Sequence, residues 1–180
     1  KVTDKDIRKN DGEDHFLASV DDLDSLLKVP RCDAIINLAA EHRDDVQPIS
    51  RYDDVNVLGA ENICELARKK NIQKIIFTSS VAIFGFAEPE TGEDGEPNYF
   101  NDYGRTKHEA EHVYSQWQRE DPSRRCLVII RPTVIFGEGN RGNVYNLLKQ
   151  IASHRFVMIG RGKNVKSMAY VENVVAFIEY

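Results

Sequence analysis

The chain has 180 residues, 41% of them hydrophobic and 29% charged, with a formal net charge of −5. That length is enough for one domain with a sizeable core, and the acidic balance argues against a nucleic-acid binder, because no basic excess exists to neutralise phosphates. No apolar run approaches the roughly 18 residues of a membrane span, and Cys32, Cys64 and Cys126 form no C-x-x-C, so they read as reduced thiols of a cytoplasmic protein.

Residues 1–13 are polar and suggest no element. HFLASV (15–20) reads as a short strand and DDLDSLL (21–27) as the opening of a short helix. DAIINLAA (33–40) is a near-continuous apolar run, the pattern of a strand buried on both faces. The loop 41–50 leads to a helix from Tyr52 to Lys70, closed by Asn71, a residue that tolerates the left-handed cap. KIIFTSS (74–80) is a second buried strand, and 86–100 is an acidic loop rich in Pro and Gly. A helix follows from Tyr103 to about Glu120, then a strand RRCLVIIR (124–131) stopped by Pro132. A helix at 143–154, a short strand FVMIG (156–160) and a helix at 171–180 complete the pattern. Alternation of this kind predicts an α/β fold with a parallel sheet. Working residues in such sheets gather at the carboxyl ends of the strands, which here read NLAA, FTSS and RPT.

The stretch YGRTKHEAEH (103–112) holds two overlapping motifs, Y-x-x-x-K and H-E-x-x-H. A zinc helix needs His108 and His112 to face a cleft with a third ligand beyond. At about 100° per residue, with Tyr103 at zero, Thr106, Ala110, Val113, Tyr114 and Trp117 form the apolar stripe. His108 and His112 fall on the opposite side, beside Arg105, Ser115, Gln116 and Arg119, towards solvent. Tyr103 and Lys107 lie one turn apart at the edge of the stripe. A nearby ammonium favours a phenolate, which is how a tyrosine becomes a base near neutral pH. A third literal motif, GEGNRG (137–142), has the G-x-G-x-x-G spelling. However, Pro132 breaks the strand early and no acid occurs between Arg141 and Glu172, so it reads as a loop.

Together these segments resemble the extended short-chain dehydrogenase/reductase family, in its NAD-dependent nucleotide-sugar epimerase/dehydratase branch. INLAA is similar to the family's H-x-A-G/A segment, DVNVLGAENI to N-V-x-G-T-x-N and FTSSVAIFG to S-S-x-x-V-Y-G. YGRTK matches Y-x-x-x-K, RPTVIFG is similar to R-P-x-N-V-Y-G, and GRGKNVKSMAYVENVV to the late diphosphate-holding segment. The resemblance implies a Rossmann-type doubly wound parallel sheet, incomplete at the N-terminus, over residues 1–136. It also implies the start of a small C-terminal substrate-binding part over 137–180. It assigns Ser80, Tyr103 and Lys107 to catalysis, and Ser19, Val20, Leu38, Ala39, Ala40, Asn56, Tyr103, Lys107 and Thr133 to the cofactor, NAD with NADP not excluded. Ser80, Asn143 and Lys166 would meet the nucleotide sugar, with Lys166 in place of a diphosphate-binding arginine. In this scheme Lys107 also keeps the tyrosine pKa low, and the family's habit of pairing through the Y-x-x-x-K helix allows a homodimer.

The departures narrow the function. Nothing before Asp14 supplies the family's Gly-rich turn, so the chain is expected to be a piece of a longer protein that binds NAD weakly by itself. Ser19-Val20 stand where the family has an adenine-contacting acid, and Val134 replaces the asparagine of R-P-x-N. Val81 and Ala82 follow Ser80 where dehydratases carry an Asp-Glu pair, which argues against water loss. The expected function is NAD-dependent epimerisation at C4 of a nucleotide-activated sugar. A 4-keto-sugar reductase is the near alternative, and a non-catalytic dinucleotide-sensing or scaffold protein is the alternative of another class.

Overall fold

A computed structural model describes residues 16–180 except 44, 89, 159 and 164; the polar stretch 1–13 and the first residue of HFLASV lie outside the described residues. The chain forms two compact units, one running to Ile130 and the other spanning Arg131–Tyr180. This division falls before the boundary expected at 136/137, because Val134–Phe136 pairs with a strand from later in the chain.

In the first unit, α1 (Leu23–Leu27) is followed by β1 (Ile35–Asn37), a short helix α2 (Ser50–Tyr52), a π-helical turn (Asp53–Leu58) and α3 (Gly59–Lys70). Then come β2 (Lys74–Thr78), a 3-10 turn (Val81–Phe84), α4 (Asp102–Arg119) and β3 (Cys126–Ile130). The three strands are parallel, with β2 in the middle. Residues 16–19 are irregular rather than a strand, and Ser19 and Asp22 serve instead to start α1. The Asp22 carboxylate caps the Asp24 and Ser25 amides, and the Ser25 hydroxyl accepts from the Ser19 amide.

The expected helix 52–70 is thus one continuous coil whose middle widens into a π turn. A π segment shifts the side-chain register, and it is here that Asn56 becomes buried. The helix ends at Asn71 in the left-handed conformation, φ 53°, with the Ile72 amide donating to the Ala67 carbonyl. Asparagine tolerates that conformation better than most residues.

Side chains at i and i+2 share a face of a strand. Ile75 and Phe77 of β2, each 1% exposed, therefore face α3 and α4 together with Ile35, Leu127 and Ile129. The opposite face carries Ile36 and Val128, both exposed. Ala60 of α3 and Ala110 of α4 are wholly buried small residues that let the two helices approach, and Trp117 and Tyr114 fill the space between α4 and the sheet. Arg125 lies over the Trp117 ring, 4.9 Å from its centre, and donates to the Trp117 carbonyl.

The second unit holds β4 (Val134–Phe136), α5 (Asn143–Ala152), β5 (Met168–Tyr170) and α6 (Val171–Glu179), with β4 and β5 parallel. Residues 156–158 are not a strand; Gly160 and Gly162, at φ 80° and 63°, turn the chain there, and the partner of β4 is the short MAY segment instead. Because Trp117 has no exposed surface, Trp117→Ala should cost about 3–5 kcal/mol of stability in the complete protein. Chemical denaturation would read this as a lowered midpoint, and an unchanged midpoint would contradict the packing.

Candidate functional site

The site residues of the first unit are carried by the end of β1, the end of β2 and the first two turns of α4. Ser80 follows β2 in extended conformation, and its hydroxyl oxygen accepts from the Ala82 amide at 3.1 Å, opening the 3-10 turn. Its side chain acts on the Tyr103 phenol and lowers that group's pKa. Tyr103 sits in the first turn of α4, where the Asn101 side chain caps the Gly104 amide at 2.9 Å.

Gly104 explains how the two hydroxyls meet. A Cβ at this position would lie 2.5 Å from the Ala82 carbonyl oxygen and 2.9 Å from the Tyr99 Cβ. Absence of a side chain lets the helix rest directly on the 3-10 turn. Gly85 closes the other side of that turn: at φ 56° it turns the chain so that the Asn98 amide donates to the Ile83 carbonyl.

Lys107 is more deeply placed than the helical wheel suggested. It is 2% exposed, with its ammonium 4.2 Å from the centre of the Phe77 ring. Desolvation lowers its pKa to about 8, and the charge of Glu111 acts in the opposite direction. Burial also raises the Tyr103 phenol above the ordinary tyrosine value, while the Ser80 hydrogen bond lowers it. In the ligand-free chain, therefore, the expected lowering by Lys107 is not found and burial dominates, because a low-polarity surrounding disfavours any new anion.

The strand-end loop Leu38–Glu41 is pinned to α4 at both ends. At its start, buried Asn37 donates to the Tyr114 hydroxyl at 2.7 Å and accepts from the Ala39 amide. At its finish, Asn56 donates to the Glu41 carbonyl and accepts from the Glu41 amide, and its second N–H reaches the Thr106 hydroxyl at 2.9 Å. All these Asn56 contacts are with the protein's own groups. Of the remaining expected residues in this unit, Ala39 and Ala40 are half-buried and Leu38 is exposed. The Ser19 hydroxyl donates to Asp21, and the Val20 carbonyl accepts from Asn62 at 2.8 Å while its side chain packs on Gly59.

Within the second unit, Thr133 precedes β4 and is half-buried, Asn143 is the exposed first residue of α5, and Lys166 is exposed ahead of β5. GEGNRG is a loop: the Asn140 side chain accepts from the Gly142 amide, and Gly139 turns at φ 79°. A cavity of ≈ 270 Å³ lies between this loop, α5 and β5, lined by Phe136, Glu138, Val144, Tyr145, Leu148 and Tyr170 among others. The Tyr170 hydroxyl donates to Glu138 at 2.9 Å. Glu138, Tyr170, Asn37, Gly104 and Glu111 all lie inside the motifs singled out from the sequence, yet the sequence pattern assigns none of them a role. The signals present were a strand-end asparagine for Asn37 and, for Glu111, a carboxylate at i+4 from the lysine.

On the outer side of α4, His112 is exposed as expected, whereas His108 is half-buried against Tyr99 and packs tilted against His112 with ring centres 4.5 Å apart. Among the described residues no group of three or more His, Cys, Asp or Glu side chains is placed to hold a metal ion. Nor is any helix among them long and apolar enough to cross a membrane.

The parallel sheet with its flanking helices defines a protein of the Rossmann-type α/β class. The chain belongs to the NAD dependent epimerase/dehydratase family, whose profile matches residues 5–180. It is 55% identical over 148 residues to an Escherichia coli O157:H7 N-acetyl-alpha-D-glucosaminyl-diphospho-ditrans,octacis-undecaprenol 4-epimerase, covering 82% of this chain and 45% of that protein. A Pisum sativum UDP-glucose 4-epimerase is 32% identical over 157 residues, covering 81% of this chain and 43% of the relative. The chain thus spans less than half the length of these curated relatives. In fold it is similar to a Bacillus cereus UDP-glucuronic acid 4-epimerase solved with NAD, at a TM-score of 0.73 and 23% identity, covering 88% of this chain and 52% of that one. MoeE5, solved with UDP-glucuronic acid and NAD, gives a TM-score of 0.75 at 20% identity, over 90% of this chain and 56% of that one.

The close approach at Gly104 is testable in the complete protein. Gly104→Ala should lower stability by about 1–3 kcal/mol, because the methyl group must push α4 off the 3-10 turn. Parent-like stability in urea would show that the helix can back away freely.

Proposed function

We propose that this chain carries the catalytic machinery of an NAD-dependent epimerase that inverts C4 of a nucleotide-activated sugar. The observation that carries the reading is the placement of Tyr103 on a helix resting against the 3-10 turn that Ser80 opens, with Lys107 buried one helical turn further on. The relatives' names support the reaction, and they share a sugar joined to a diphosphate, carried on UDP in one and on a polyprenol in the other.

In this reading Tyr103, as phenolate, takes the proton of the C4 hydroxyl, and Ser80 donates a hydrogen bond to the same sugar oxygen. Lys107 holds the negative charge on the phenolate and prevents its reprotonation from becoming the resting state. NAD, when bound, would supply the acceptor for the C4 hydride and the donor for its return. Tyr103 then gives the proton back, so the sugar leaves with inverted configuration and no net change in oxidation.

The residues at the strand ends suit such a cofactor. Ala39 and Ala40 are small and half-buried, and the Ser79 hydroxyl is buried without a hydrogen-bond partner, a polar group available to a ligand. Asn56 serves the cofactor indirectly, by holding the Glu41 end of the loop; Leu38 and the Ser19-Val20 turn complete its proposed surroundings in the first unit. Asn143 and Lys166 are assigned to the sugar diphosphate. The same reading puts the enzyme in the cytoplasm, in accord with three free cysteines, and pairs two copies through the outer face of α4.

Tyr103→Phe in the complete protein should abolish epimerisation of UDP-sugars while leaving NAD binding nearly intact; parent-like turnover would overturn the mechanism. The pH profile is a second check. Lys107 works as a cation, so its contribution is full below its pKa of about 8 and is lost as pH rises through that value. The alkaline limb of kcat/KM, which reports the free enzyme, should therefore fall near pH 8. A profile level up to the ordinary lysine value of 10.5 would contradict the assignment.

A further inference from the structure

Two buried ionisable groups share one face of α4: Lys107 is 2% exposed, and Glu111, one turn further along, is 5% exposed. Burying a single charge is costly unless an opposite charge accompanies it. The groups that the elements packed against α4 carry do not fill that role. Phe77 of β2 offers only a ring face, and Ser80 offers a neutral hydroxyl. From the π turn, Asn56 is uncharged and Asp53 is engaged by Arg105 through paired bonds of 2.9 and 3.0 Å. The Cys64 thiol of α3 is pushed up to about 12 by burial and stays neutral. Tyr103 on α4 itself bears charge only when it acts as the base. Glu111 therefore stands out as the buried carboxylate that acts on the ammonium.

We propose that Glu111 is a positioning residue that keeps Lys107 protonated inside the apolar core, so that the cation is available to the Tyr103 phenolate. The proposal rests on the reading of Lys107 given above only for its catalytic consequence; the charge coupling itself is a property of the ligand-free protein. Removing the carboxylate leaves desolvation unopposed, and an opposite charge at such range is worth about one to three pH units on a titration midpoint.

The test is a titration of the complete protein carrying isotope-labelled lysine, with the Lys107 Cε signal followed by NMR in the parent and in Glu111→Gln. The expected result is a Lys107 midpoint lower by about one pH unit or more, with the alkaline limb of kcat/KM moving down by the same amount. An unmoved Lys107 midpoint in the folded variant overturns the proposal. Should Glu111→Gln fail to fold, Glu111→Met provides the same Lys107 measurement, and an unmoved Lys107 midpoint there is equally fatal. If the midpoints move but no UDP-sugar is epimerised by the parent, the functional reading fails while the Glu111–Lys107 coupling stands.

Discussion

The structure depends on an ammonium ion held where water does not reach. Lys107 projects from α4 against Phe77 at the middle of the sheet, and an uncompensated charge in such a place would lose its proton or open the core. The ring face of Phe77 and the carboxylate of Glu111 offset that tendency, and the result is a lysine whose pKa falls to about 8. A group balanced there can carry charge at neutral pH and still respond to charges that arrive beside it. The same burial raises the phenol of Tyr103, so the two neighbours stabilise each other's charged forms only when they ionise together.

Keeping that pair in register with the strand ends requires polar pins rather than more apolar packing. Apolar contacts tolerate small slides, whereas hydrogen bonds to buried backbone groups do not, because an unpaired donor or acceptor costs about 1–3 kcal/mol. Asn37 and Asn56 fasten the two ends of the β1 loop to Tyr114 and Thr106 of α4. Arg105, partly shielded, clamps Asp53 of the π turn and reaches Asp102 and Glu109 of its own helix. The π turn is what presents Asn56 and Asp53 to α4 together. The bare backbone at Gly104 adds a further support, by letting α4 rest on the 3-10 turn.

Much of this was legible from residue order. The three strands of the first unit, the helices at 52–70 and 103–120, the left-handed stop at Asn71 and the loop character of GEGNRG follow from periodicity and from backbone preferences of single residues, which act locally; the expected burial of both strand faces does not hold, since Ile36 and Val128 are exposed. The strand at 168–170 and the irregularity of 16–19 and 156–158 were not legible. Three residues hold too little periodicity to mark a strand, and pairing with a distant segment decides the outcome. The depth of Lys107 was also missed, since a helical wheel gives an angle but not the height of the packing against it.

By itself the sequence determined the α/β class, the family, and which residue types stand at the strand ends, because these depend on local pattern and on the identity of side chains. Tertiary structure alone decided which hydroxyl meets Tyr103, that Asn56 supports a loop through bonds to the protein's own groups, and that Glu111 shares the burial of Lys107. The physical reason is range. Backbone preference and hydrophobic period act over a few residues, whereas charge state and hydrogen-bond partnership depend on which groups separated by 15 to 77 positions are brought together and on how much water is left between them.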